Sequence, residues 1–222
     1  MLTLNELTKW FENLSRIIID LNIALNNVKE LDSISDSETI ERIKRNGFFL
    51  HHKSQLRFIM VIQLSKIYSN SSNQKIRINE LIKRLKTEVF DSNLQNQLDD
   101  NKRIPTIMVD NDILPKVFTK REQINSEIEL FYERLKENIN SIKKVESARN
   151  KIYAHSDPKI EKLIPFIEFD EFEKLVILAN DFYNTFRGRL FGIDTDFRTS
   201  DWNIKYIVNI MALQFGKRKK NN

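Results

Sequence analysis

The chain has 222 residues, 41% hydrophobic and 30% charged, with four glycines, four prolines, three histidines and no cysteine. That composition excludes a disordered chain, a disulfide scaffold, a thiolate nucleophile and a cysteine-based zinc site, and so few turn residues exclude a sandwich or barrel of many short strands. The net charge of +5 is mild: it is compatible with a nucleic-acid partner without demanding one.

In chain order, the first helix is expected over Thr3 to Lys29. Leu4, Leu7, Phe11, Leu14, Ile18, Leu21 and Leu25 recur every three or four residues, and Thr3 with Glu6 forms a capping-box pattern. Ser35 with Glu38 is expected to open a second helix, bent near Gly47, that runs through Phe48, Leu56, Met60 and Leu64 to Ile67 and stops in the Ser69–Asn73 loop. A third carries Leu81, Ile82, Leu85, Val89, Leu94 and Leu98. The stretch from Asp99 to Phe118, with Pro105 and Pro115, is expected to be a loop with an extended piece at Ile104 to Val109.

The longest helix is expected from Lys120 to His155, its buried face marked by Ile124, Ile128, Phe131, Leu135, Ile139, Ile142, Val145 and Ile152. Pro158 ends it near His155. A helix capped by Asp170 follows over Glu171 to Leu190, and a last one spans Asp201 to Phe215, ahead of a basic, flexible tail at 216–222. No repeat and no second-domain boundary is evident, so the chain reads as one all-α, single-domain up-and-down helical bundle with a proline-containing loop insertion. Its N-terminus lacks the pattern of a signal peptide and no apolar run reaches the ~18 residues of a membrane span, so the expected compartment is the cytoplasm and no membrane partner is expected. Enrichment in Asn, Ile and Lys suggests a bacterial source.

One segment carries chemistry: Arg149-Asn150-Lys151-Ile152-Tyr153-Ala154-His155. Arg offers a planar fork of donors that matches two phosphate oxygens. A histidine at a helix C-terminus has its protonated form favoured by ~0.3–1 kcal/mol at an exposed site, and imidazole passes protons near neutrality. RNA supplies its own nucleophile, the 2′-hydroxyl, so positioning the phosphate and moving two protons is enough to cleave it. Six residues at ~100° each place Arg149 and His155 ~120° apart on an ideal helix. Two copies of the segment meeting across a dimer would bring these groups together better than one. The competing reading makes Arg149 a surface ion-pair residue, His155 a helix C-cap and Tyr153 a core residue.

The seven residues resemble the Arg-x(4–6)-His motif of the HEPN superfamily, with a polar residue after the Arg. The longer run ARNKIYAHSD in a helical chain of this size resembles the AbiU-like abortive-infection HEPN proteins. The resemblance implies a helical bundle that dimerises around the motif and, in active members, metal-independent RNA cleavage in antiviral defence or toxin–antitoxin systems. It implies catalytic roles for Arg149, Asn150 and His155. Nucleotidyltransferase-controlled members carry Tyr two residues after the His. Asp157 stands there in this chain, which argues against control by that route.

RNA is therefore the expected substrate, with no cofactor and no metal. The expected partners are a second copy, through the motif-bearing helix, and an antitoxin or other defence-system protein. Tyr153 shares the face of Arg149 and, with Lys151, is read as lining the substrate pocket. His52 and Arg57, with Lys53, form either a basic wall for RNA or a solvated helix face. His51 and His52 diverge too far to chelate one metal. Trp10 and Trp202 read as core or dimer interface. Asp99, Asp100, Asp110 and Asp112 read as a solvated loop, with Mg²⁺ binding as the alternative. The contrasting functional class is a non-catalytic helical module that docks a partner protein or nucleotide.

Overall fold

The computed structural model describes residues 1–69, 76–103, 108–109, 112–113, 117–154, 167–193, 195–197 and 202–220, with side chains undescribed at 108–109, 112–113, 152–154 and 215–220. The fold is an all-α helical bundle. Helix α1 (Leu4–Asp32) begins as its sequence dictates. The Glu6 amide donates to Thr3 Oγ1 (3.2 Å) while the Thr3 amide donates to Glu6 Oε2 (3.1 Å), which satisfies two of the orphan donors of the first turn. One face of α1 buries Leu7, Phe11, Leu14, Ile18, Leu21 and Val28.

The expected second helix is two. α2 (Glu38–Lys44) is capped by Ser37 rather than Ser35, with the Ile40 amide donating to Ser37 Oγ. α3 (Gly47–Tyr68) restarts at Asn46, whose side chain accepts from the Phe48 amide. The cap displaces Phe48 from the expected apolar stripe, and its ring is 69% exposed. α3 lies antiparallel to α1, because Lys53 pairs with Asp32 while Gln63 Nε2 donates to Asp20 Oδ2 at 2.7 Å.

The expected third helix is also broken, into α4 (Ile78–Thr87) and α5 (Ser92–Asn101). Between them the chain is extended and meets the N-terminus: Leu2 donates to the Val89 carbonyl (2.9 Å) and accepts from the Asp91 amide (3.0 Å). Asp91 then caps α5 by accepting from Leu94. Val89, expected on a buried stripe, is 70% exposed because its backbone is used instead of its side chain. Asp99 and Asp100 belong to α5 and pair with Lys102 and Arg103 rather than lying in a loop. Of the expected extended piece at Ile104 to Val109, the described residues form β1 (Met108–Val109), antiparallel to β2 (Asp112–Ile113), and 104–107 lie outside the described residues. Asp110 lies outside the described residues.

The longest expected helix divides at Asn138 into α6 (Arg121–Glu137) and α7 (Ile139–Ala154). Asn138 sits at φ −99°, ψ 7°, and its side chain donates back to the Arg134 carbonyl, a local alternative to continuing the helix. α8 (Phe169–Tyr183) starts from Glu168, two residues before the expected cap Asp170. It is antiparallel to α1, with Lys29 paired to Glu173 and Asn22 to Asn180, and antiparallel to α6, with Arg134 paired to Asp181 and Arg189 to Glu127.

α8 runs on through a π turn (Asn184–Gly188) into one last turn, α9 (Arg189–Phe191), and stops at Gly192 in the left-handed region (φ 66°), where glycine carries no steric cost. Phe131, Phe182 and Phe186 stack within 4.7–6.3 Å of one another, and Trp10 packs edge-on against Phe11 and Phe182. α10 (Lys205–Lys220) closes the described chain on α1 and α2, helical beyond the expected end at Phe215.

Candidate functional site

α7 is anchored near its start. Ile142, Val145 and Ala148 form its buried stripe, and the helix packs on α3 and α8. Near its start, Ser141 Oγ and Lys144 Nζ both donate to the Glu171 carboxylate of α8, at 2.9 Å and 2.8 Å, and the Glu168 amide adds a third donor at 3.0 Å. Burial pushes the Glu171 carboxyl up, but hydrogen bonds from Lys144, the Glu168 amide and Ser141 outweigh it and hold the group below the usual carboxylate range. Glu171 is the organising residue that sequence reasoning missed. Its available signal was the capping position three residues after Glu168.

Beyond this anchor, Ala148 is the last buried residue described on the stripe, and the polar pair follows it. Arg149 is half-buried and Asn150 exposed, and Arg149 Nη1 donates to Asn150 Oδ1 at 3.2 Å. The Asn150 carbonyl engages one N–H of a five-donor fork and so orients the guanidinium at the helix surface. Lys151 is half-buried in the next position. Tyr153 belongs to α7 by its backbone, and its side chain is undescribed. His155 lies outside the described residues. The structure thus joins the Arg149 and Asn150 side chains on one helix, an arrangement that suits holding an anionic oxygen.

The remaining expected residues stand elsewhere. His52 is half-buried on α3, stacked on Phe48 (6.2 Å, 12° between planes), and lines an open groove of about 550 Å³ with Asn27, Trp202, Asn203, Tyr206 and Ile207; none of the described lining residues comes from α7. Lys53 is committed to Asp32 of α1. Arg57 is half-buried, and its Nε is buried with no hydrogen-bond acceptor among the described residues. His51 is exposed and is bonded to Gln55. Among the described residues no three His, Asp or Glu side chains gather into a metal-binding group.

Trp10 is half-buried and packs against the core. Trp202 is no core residue: it is 69% exposed, because it precedes α10, and its carbonyl accepts from Asn27 Nδ2 at 3.0 Å. No described helix is long and apolar enough to cross a membrane. Compared with protein-family models, curated proteins and solved structures, the chain matches none.

Proposed function

We propose that this protein is an endoribonuclease of the HEPN type, serving antiviral defence by abortive infection or acting as the toxin of a toxin–antitoxin pair. The observation that carries the reading is the Arg149–Asn150 pair, hydrogen-bonded side chain to side chain near the end of a helix whose start is pinned by Glu171. In this reading Arg149 holds and polarises a phosphate, Asn150 orients it, and His155 moves the protons: it takes one from the 2′-hydroxyl or gives one to the leaving 5′-oxygen. The 2′-oxygen attacks phosphorus, the bond to the 5′-oxygen breaks, and a 2′,3′-cyclic phosphate is left. A second copy, docked through α7, would supply the other half of the acid–base work. Tyr153 and Lys151 would border the scissile nucleotide.

The test is RNA cleavage by the full chain in excess EDTA. Wild-type protein should cut, leaving cyclic phosphate ends, and a 2′-O-methyl group at the cut site should block cleavage. His155→Ala should lower the rate at least about 100-fold. Arg149→Lys, which keeps the charge but loses the fork, should lower it as Arg149→Ala does. Undiminished cutting by Arg149→Ala, strict dependence on Mg²⁺, or equal cutting of DNA would overturn the reading.

A further inference from the structure

α10 is apolar on two sides, and the bundle covers one of them. The inner side sets Ile204 and Val208 into the core, with Met211 and Ala212 packed partly against it. The outer side presents Tyr206, Ile207, Ile210 and Leu213, of which Tyr206 is 72% and Leu213 67% exposed. Spacings of four and three align Tyr206, Ile210 and Leu213 along one stripe, and Trp202, just ahead of the helix, lines a groove with Tyr206 and Ile207. A single exposed leucine is ordinary, but a contiguous stripe of large apolar side chains marks a docking surface. The groove beside His52 extends that surface towards the exposed ring of Phe48.

Charge says what the surface docks against. Lys205, Lys217, Arg218, Lys219 and Lys220 are the only charged residues after Asp201, and their five positive charges equal the net charge of the whole chain. The first 201 residues therefore hold 31 basic and 31 acidic groups. Between Lys205 and Lys217 the helix carries no charge at all. The segment thus reads as an uncharged apolar stripe with aromatic rings at one end and cations at both.

We infer that α10 seats this protein on the surface of an anionic lipid bilayer, lying in the plane of the headgroups. Ile207, Ile210 and Leu213 reach the acyl boundary, Trp202 and Tyr206 rest at headgroup depth, and the cations meet lipid phosphates. A second copy pairing through this face would bring two uniformly basic segments together. An RNA strand would need cations along its path, and this stripe offers none between Lys205 and Lys217 while exposing three aliphatic side chains on which no base stacks. The expectation of no membrane partner rests on the absence of a spanning segment, which surface docking does not require. Asn27 fixes the entry to α10 by accepting from the Ile204 amide (2.8 Å) and donating to the Trp202 carbonyl, so the bundle has a defined face towards the lipid.

The test is co-sedimentation of the full chain with phosphatidylcholine vesicles, with and without phosphatidylglycerol. Wild-type protein should bind the anionic vesicles at least about ten-fold more tightly than the neutral ones, and added salt should weaken the binding. Ile210→Ser with Leu213→Ser, and separately Lys217, Arg218, Lys219 and Lys220→Gln, should each weaken it about ten-fold or more without lowering the melting temperature. Trp202 emission should shift to the blue on binding, against a constant background from the packed Trp10. Arg149→Ala should bind as wild type does, so the result stands apart from the ribonuclease reading. No binding to anionic vesicles would overturn the inference, as would binding unchanged in both variants. Loss of a dimer in the serine variant without vesicle binding would assign the face to a second copy. Loss of RNA retention in the glutamine variant without vesicle binding would assign it to RNA.

Discussion

Trp10 lies within a helix and half-buried, whereas Trp202 lies just ahead of one and mostly in solvent. Trp10 rides on α1, whose apolar face the bundle covers: α3 and α8 both lie antiparallel along it, and its apolar stripe closes on Phe182 and Tyr183. Trp202 stands three residues ahead of α10, which touches the bundle along one side and shows aromatic and aliphatic side chains on the other. The difference lies in company rather than composition. An apolar period states that a face will be covered, and only the arrangement of neighbours states by what. α7 repeats the contrast within one helix, tied to Glu171 near its start and displaying Arg149 and Asn150 towards its end.

The largest effect should come from breaking the covered side. Phe11 is 1% exposed and touches Trp10, Tyr183 and Phe191, so Phe11→Ala removes an aromatic ring from a site with little room to collapse. Urea unfolding should show a loss of about 3–5 kcal/mol.

The joint between the two regions comes next. Asn27→Ala leaves the Ile204 amide and the Trp202 carbonyl without their partner, a cost of about 1–3 kcal/mol. Hydrogen exchange should rise across α10 while the amides of α1 keep their protection; equal loosening of both would mean that α10 is as deeply integrated as α1.

The smallest effect sharpens the contrast along α7. The Glu171 carboxyl is held below its ordinary range, so its contribution to stability is complete above the unfolded carboxylate value and is lost as pH falls through the depressed folded one. Glu171→Gln should cost about 1 kcal/mol at neutral pH. In acid, below the depressed value, variant and wild type should converge in urea titrations.

Much of the fold was legible in residues whose role is local. Thr3 and Glu6 announce the start of α1, and the stripe from Leu7 to Leu25 fixes its buried face. What sequence reading ran together were helices separated by breaks of one to four residues, each with a polar cap in it. Asn46, Asp91 and Asn138 each supply a side-chain acceptor or donor that ends one helix or starts another, and on a helical wheel they look like ordinary surface positions. Val89 misled because its carbonyl pairs with Leu2, a contact across almost ninety residues that no local period encodes. At the site, the Arg149–Asn150 neighbourhood was legible from residue chemistry alone. Glu171 was not, because its partners come from a different helix, and the expected angle between Arg149 and His155 falls on residues beyond the described end of α7.

The π turn at Asn184–Gly188 has a consequence for how this chain can change in length. A π turn is an α-helical turn widened by one residue. Here it keeps Phe182, Phe186 and Leu190 all facing the core at steps of four, with Gly188 so close to the Ile193 carbonyl that a Cβ there would lie 3.1 Å from it. Deleting one residue from the segment would close the π turn into an ordinary α turn and leave everything beyond it on the face it now holds. Leu190 would stay in the core, and Arg189 would keep both Glu127 and the face of Phe118. In the language of insertions and deletions, the helix carries a surplus codon whose phase shift is absorbed within one turn and never passed on, so that losing it would leave everything downstream in frame with the core.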